Sequence, residues 1–207
     1  MLDEKKLRIA AAHFLTQYPG GFEHPEMLKV ARKHRMDQMV AMTQEAFSKE
    51  ACRNVTATAE NMVKVIGRSS MVSMFEKPKF RDFVKQMSPD EKGFMVEALS
   101  RMLHGNQQLG FEALVDVLAT GKLAKWSLVT IIPTYYAPER EVFVKPTTAK
   151  SVIQYFEVSE LIYKPRPSWA FYESYRRLIN ESKQKVDARL SPSNAAFSGF
   201  LMSIARP

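Results

Sequence analysis

Apolar side chains recur every three or four residues through most of the chain, which is the spacing that places them on one face of an α-helix. Leu7, Ala11 and Phe14 follow this spacing near the N-terminus, and Phe197 and Phe200 follow it near the C-terminus. The pattern predicts a mainly α-helical protein, a bundle-like array of about nine or ten helices.

Two local signals add detail to this helical pattern. In the run Ser88-Pro89-Asp90-Glu91, the serine hydroxyl and the Glu91 carboxylate can each accept a hydrogen bond from the other residue's backbone amide, and proline suits the first helical position. A helix is therefore predicted to begin there. Farther along, Gly110 lies inside a predicted helix, where a missing side chain allows a neighbouring helix to come close.

The segment from Lys125 to Pro146 does not follow the helical spacing. It combines β-branched and aromatic residues and is interrupted by Pro133 and Pro138. Such residues favour strands, so the segment predicts a short antiparallel β-hairpin from Trp126 to Val144. Its tip, Tyr135 to Glu141, is expected to be exposed.

Length and composition indicate a folded protein that shares one core. The chain has 207 residues, of which 45% are apolar and 25% charged. We expect a single domain over residues 1–207, with lobes at 1–121 and 122–207 as an alternative. The longest uncharged run has several serines and is shorter than a membrane span of about 20 residues, so no membrane association is expected.

A single cysteine, Cys52, cannot form an internal disulfide, which fits a reducing, cytoplasmic location. The four histidines lack the one-turn pairing with a carboxylate that helical zinc enzymes use, and no glycine-rich phosphate loop or nucleophile elbow occurs. We therefore predict no metal and no cofactor. In the predicted hairpin, the two glutamates Glu139 and Glu141 would share one side of a strand, near Lys145. An enzyme centred on these three residues is the weakest of three functional hypotheses.

Charge gives the leading hypothesis. The formal net charge is +8, and the excess is largest in residues 51–104 and 151–207. A basic surface favours a polyanionic partner, so nucleic-acid association, with DNA and RNA equally open, is the first expectation. The run Val65–Ser73, with its central glycine and serines, is typical of a helix-turn-helix whose second helix is capped by serine.

Two groups of cations lie among aromatic residues, one after Arg68 and one around the predicted C-terminal long helix. Cations next to aromatic rings can follow a phosphate backbone while bases stack on the rings. The residues predicted to contact nucleic acid are Arg68, Lys77, Lys79, Arg81, Lys164, Arg166, Arg176 and Lys183.

The alternative hypothesis is a protein-interaction or regulatory module. Ten of the 12 methionines lie between Met27 and Met102, mostly at helical spacing. Methionine-rich helices can form an adaptable groove for a protein partner, although such residues more often form a core. The pattern does not indicate an oligomeric state.

Overall fold

The computed structural model describes residues 2–205, and its apolar stripes form helices as predicted. The helices are α1 (Glu4–Gln17), α2 (Pro25–His34), α3 (Met36–Ala46), α4 (Val55–Arg68), α5 (Glu76–Gln86), α6 (Pro89–His104), α7 (Gln107–Thr120), α8 (Trp126–Tyr136), α9 (Pro146–Tyr155), α10 (Trp169–Lys183) and α11 (Asn194–Ile204). Short 3₁₀ turns occupy 21–23, 51–53 and 188–190. The mainly helical class is confirmed.

The predicted β-hairpin is wrong, since residues 2–205 contain no β-strand. Its first arm is helix α8, in which every residue from Trp126 to Tyr135 is buried. Helices α3, α4, α6 and α7 all contact α8, so it is the central helix of the array. A helix enclosed on all sides is apolar all round and has no periodic stripe, and for this reason the pattern resembles that of a strand.

Packing and side-chain hydrogen bonds hold α8 in helical form despite its β-branched residues. Pro133 cannot donate a hydrogen bond to the carbonyl one turn before it, which normally weakens a helix. The hydroxyls of Thr130 and Thr134 donate to the carbonyls of Trp126 and Thr130, both at 2.7 Å, so these buried polar groups are satisfied. Burial against four neighbouring helices thus overrides the local preference for strand.

The second arm of the predicted hairpin is an extended segment that leads to α9. The amide of Val144 donates to the Thr130 hydroxyl at 3.1 Å, so a side chain of α8, and not a strand ladder, holds this segment. The predicted exposed tip is also wrong in part. Tyr135 is 0% exposed and Glu141 is 1% exposed, because both side chains point into the protein.

The two local signals are confirmed. Ser88 and Glu91 form the predicted reciprocal cap at the start of α6. At Gly110, a side chain would lie 2.7 Å from the Ala98 carbonyl oxygen and closer still to the Met102 amide. Helices α6 and α7 therefore cross at backbone contact, which only glycine allows.

Helix α2 is the least buried element. None of its ten residues is buried, and its Leu28 and Val30 side chains are 41% and 47% exposed. Near its C-terminal end, His34 Nδ1 lies 2.8 Å from the hydroxyl of Ser70, in the loop that follows α4. This contact places the cationic end of α2 beside the loop between α4 and α5.

Candidate nucleic-acid interface

The loop between α4 and α5, residues 69–75, follows the central helix from one end to the other. At its start, the Ser69 hydroxyl lies 2.9 Å from the hydroxyl of Tyr135, in the last turn of α8. Just past its end, Glu76 accepts a hydrogen bond at 2.7 Å from Ser127, in the first turn of α8. The two anchors are about 12 Å apart along the helix, because each residue rises about 1.5 Å.

Sequence-distant cations surround the first end of this loop. Arg68 is exposed at the end of α4, and His34 contacts Ser70. The pKa of His34 is lowered from its ordinary value, first by burial and then by the positive charges of Lys33 and Lys145. The charges of both lysines thus act on the imidazole. Residues from α2, α4 and the segment before α9 thus share one positively charged region.

A second group of cations surrounds the other end. Lys77 follows the anchored Glu76, and Lys125 precedes the first turn of α8. The Trp126 indole donates to the backbone carbonyl of Lys164 at 2.8 Å, which holds the loop before α10 against the same end. The ring of Phe83, one turn after Lys79, packs directly on Gly121, and this contact brings α5 against the turn that carries Lys122.

We call the surface formed by these two groups the basic face. It comprises Lys33, Arg68, Lys77, Lys79, Lys122, Lys125, Lys145 and Lys164. All are exposed except the half-buried Lys77, and none forms an ion pair with another residue in the range 2–205. Of the acidic side chains on these elements, Asp116 pairs with Arg166, and Glu76 accepts a hydrogen bond from Ser127 while keeping its negative charge next to Lys77. The face is thus predominantly positive, and none of its eight cations has an ion-paired carboxylate among residues 2–205.

The predicted nucleic-acid residues divide into three groups. Arg68, Lys77, Lys79 and Lys164 belong to the basic face. Arg81 and Arg166 are exposed but pair with Asp82 and Asp116, both at 2.8 Å. Such surface pairs are weak, so these arginines can exchange their partners for phosphate.

Arg176 and Lys183 contact other parts of the protein instead. The Lys183 ammonium donates to the carbonyl of Glu139 at 2.6 Å and to the side-chain oxygen of Asn194 at 2.7 Å, and burial lowers its pKa. Arg176 binds the buried carboxylate of Glu141. Both cations thus tie α10 to the segment that follows α8.

The Glu141 carboxylate is enclosed, which is the reverse of the predicted exposed position. The Tyr172 hydroxyl donates to it at 2.7 Å, and Arg176 donates to both of its oxygens at 2.9 and 3.0 Å. Burial alone would raise the pKa of Glu141, but Arg176 and the hydrogen bonds from Tyr172 and Gln107 lower it below its ordinary value. Arg140 pairs with it as well, at 3.0 Å, and these partners together hold the carboxylate as an internal anion.

The three residues of the enzyme hypothesis do not form the expected constellation. With no strand, Glu139 and Glu141 do not share one side of a sheet: Glu139 is exposed and Glu141 is enclosed. Lys145 belongs instead to the basic face, where its charge contributes to the lowered pKa of His34. No group of three or more His, Cys, Asp or Glu side chains within residues 2–205 could hold a metal ion.

The predicted helix-turn-helix is wrong. Helix α4 continues to Arg68, so Gly67 lies inside it and does not form a turn. The next helix begins only at Glu76, whereas such a motif needs a turn of about three or four residues. Ser69 cannot cap that helix because it is buried against Tyr135.

Most of the central methionines contribute to packing. Met39, Met62, Met87, Met95 and Met102 are all buried in the core. Cys52 is a free, buried thiol. Among the described residues, no helix is long and apolar enough to cross a membrane.

Sequence reasoning missed four members of the basic face as candidate ligands for nucleic acid: Lys33, Lys122, Lys125 and Lys145. They lie outside the two regions with the largest excess of positive charge, and only long-range contacts bring them beside the loop 69–75. Comparison of the chain with protein-family models, with curated proteins and with solved structures gives no match.

Proposed function

We propose that this protein binds nucleic acid through the phosphate backbone, using the basic face. One observation supports this most strongly. Eight cations without ionic partners among residues 2–205, contributed by six separate parts of the chain, lie on elements that contact the loop 69–75 or the two ends of α8 that anchor it. A cluster of like charges repels itself in the free protein, and a polyanion relieves that repulsion.

The chemistry of the basic face fits phosphate better than it fits a small acidic ligand. The cations are spread over both anchors of the loop instead of converging on one pocket. Each phosphate neutralised by a lysine or arginine releases condensed counterions, and this release drives binding without regard to sequence. The proposal is therefore a backbone-binding protein with little base-pair specificity.

The test compares two triple variants that lower the net charge by the same amount. The face variant carries Lys77→Gln, Lys79→Gln and Lys125→Gln. The control carries Lys5→Gln, Lys49→Gln and Lys185→Gln, at exposed lysines that lie outside the basic face. Binding to a fluorescently labelled oligonucleotide is followed by anisotropy at low salt.

We expect the face variant to bind at least about tenfold more weakly than the unmodified protein, since three phosphate contacts are lost. The control should stay within about twofold, because its lysines act only through distant, screened charge. Equal weakening in both variants would mean that net charge alone, and not the basic face, attracts the oligonucleotide. No measurable binding by the unmodified protein would refute the proposal itself.

A further inference from the structure

An exposed apolar pair lies at the end of the loop 69–75, between the two groups of cations that form the basic face. Met74 and Phe75 are each 73% exposed, and in the chain they stand between Arg68 and Lys77. Single exposed apolar residues are common on protein surfaces and need no explanation. A phenylalanine ring on a loop with unpaired cations at both ends is different, because it contributes nothing to a purely ionic site.

Hydrogen bonds hold the backbone on both sides of Phe75 in place. The Phe75 amide donates to the Ser73 hydroxyl at 3.3 Å, and the Glu76 amide donates to the Ser73 carbonyl at 3.0 Å. Immediately after the ring, the Glu76 carboxylate is fixed on Ser127 of the central helix. The ring is thus presented to solvent from a segment that is anchored on both sides.

Resting on the function proposed above, we infer that the ligand is single-stranded nucleic acid and that a base stacks on Phe75. In a duplex the bases are already stacked and paired, so an exposed ring cannot reach their faces, whereas a single strand offers a face at every nucleotide. Cations on both sides of the ring bind the phosphates that flank the stacked base. Proteins that bind single strands without sequence preference combine cations, which follow the backbone, with aromatic side chains, on which the bases stack.

An anionic membrane surface is the competing partner, since it too would use cations and apolar side chains. Helices that lie in a membrane surface insert a continuous apolar face. Met74 and Phe75 are instead consecutive residues in a loop, and the helix α5 that follows them keeps its apolar Phe80 and Val84 in the core. The single strand is therefore favoured.

The experiment uses three substitutions of Phe75. Phe75→Ala removes the side chain, Phe75→Leu keeps an apolar group but removes the ring, and Phe75→Trp keeps a ring and adds a fluorescent reporter. The matched control is Phe94→Ala, because Phe94 is 69% exposed but lies beside Val55, about 20 Å along α4 from Arg68. Circular dichroism and thermal unfolding check that each variant is folded.

Four probes are titrated against each protein: a thymidine oligonucleotide of about 20 nucleotides, a duplex of the same length, polyphosphate, and vesicles that contain phosphatidylserine. We expect Phe75→Ala and Phe75→Leu to bind the oligonucleotide about tenfold more weakly. Their binding to polyphosphate should not change, because it has no bases. Phe75→Trp should keep its affinity, and the oligonucleotide should quench its fluorescence.

The outcomes separate the two proposals. Oligonucleotide binding that Phe75→Ala leaves unchanged would overturn the stacking inference alone and leave the backbone-binding function standing. Absence of binding to oligonucleotide, duplex and polyphosphate alike would overturn both. Binding to vesicles but not to the oligonucleotide, kept in Phe75→Leu and lost in Phe75→Ala, would identify a membrane as the partner and also overturn both.

Discussion

The buried carboxylate of Glu141 allows a sharp test of what holds helix α10 on the segment that follows the central helix. The substitution Glu141→Gln keeps the size of the side chain but removes its charge. Arg176, whose side chain is only 17% exposed, then loses its anionic partner. The amide NH₂ of glutamine also replaces one of the two oxygens that accept hydrogen bonds from Tyr172 and Arg176, so a donor then faces a donor.

The expected loss of stability follows from this geometry. Removing one member of a buried ion pair costs about 3–5 kcal/mol, because the remaining charge is left buried without compensation. Arg176 retains part of its contact with water, a hydrogen bond to Gln107 at 2.7 Å, and the rings of Trp169 and Tyr172. We therefore expect a loss at the low end of that range, about 3 kcal/mol.

Urea unfolding at neutral pH measures this loss, and Glu139→Gln is the matched control. Glu139 lies two residues away and is exposed, so its substitution should change the free energy of unfolding by less than about 0.5 kcal/mol. A loss below about 1 kcal/mol in Glu141→Gln would refute the reasoning, since it would mean that the buried pair contributes no more than a surface pair.

A pH series adds a second check. The folded pKa of Glu141 lies below its ordinary value, so the ionised group contributes stability above an unfolded pKa of 4.5. That contribution is lost as the pH falls through the folded pKa. The difference in stability between the unmodified protein and Glu141→Gln should accordingly be greatest above about pH 5 and shrink in acid. A difference that stays constant to low pH would contradict the assignment of Glu141 as an internal anion.

Two further predictions concern packing and pH. Gly110→Ala should destabilise the protein by about 1–3 kcal/mol, measured by urea unfolding, because the added carbon would press on the Ala98 carbonyl. The control Gly93→Ala adds a carbon that meets nothing within 4 Å, and it should stabilise the protein by about 0.5–1 kcal/mol. Equal effects of the two substitutions would contradict the close helix crossing. Phosphate bound beside His34 would offset the charge of Lys145, so the lowered pKa of His34 should rise when an oligonucleotide is added, as followed by NMR. The affinity for the oligonucleotide should then increase as the pH is lowered from about 7.5 to about 5.5, and this increase should be smaller in His34→Ala. A His34 pKa that does not change on addition of the oligonucleotide would mean that the ligand binds elsewhere.

The parts of the fold that sequence predicts well are those governed by local chemistry. The Ser88 cap depends only on residues within one turn, and it forms as predicted. The stripe of Tyr172, Tyr175 and Ile179 on α10 is buried because a helix between solvent and core has one apolar face. Helix α8 could not be recognised in this way, since complete enclosure removes the contrast between its faces.

The candidate site was predictable only in part, for a related reason. Lys77, Lys79 and Lys164 stand out because they lie in locally basic stretches. Lys145 joins them only because an amide next to it binds Thr130 of the central helix, 14 residues earlier in the chain. Likewise, Glu141 is an internal anion because Tyr172 and Arg176, more than 30 residues farther along the chain, donate hydrogen bonds to it. No local sequence pattern indicates contacts between residues so far apart.

The dependence of oligonucleotide affinity on salt tests the central claim, that the basic face binds phosphates, most directly. If all eight cations contact a single strand, a plot of log association constant against log salt concentration should have a slope approaching about −5.6 between about 50 and about 300 mM. The variant with Lys77→Gln, Lys79→Gln and Lys125→Gln should show a slope shallower by about 2. An affinity that does not change with salt, or an equal slope in that variant, would contradict the account.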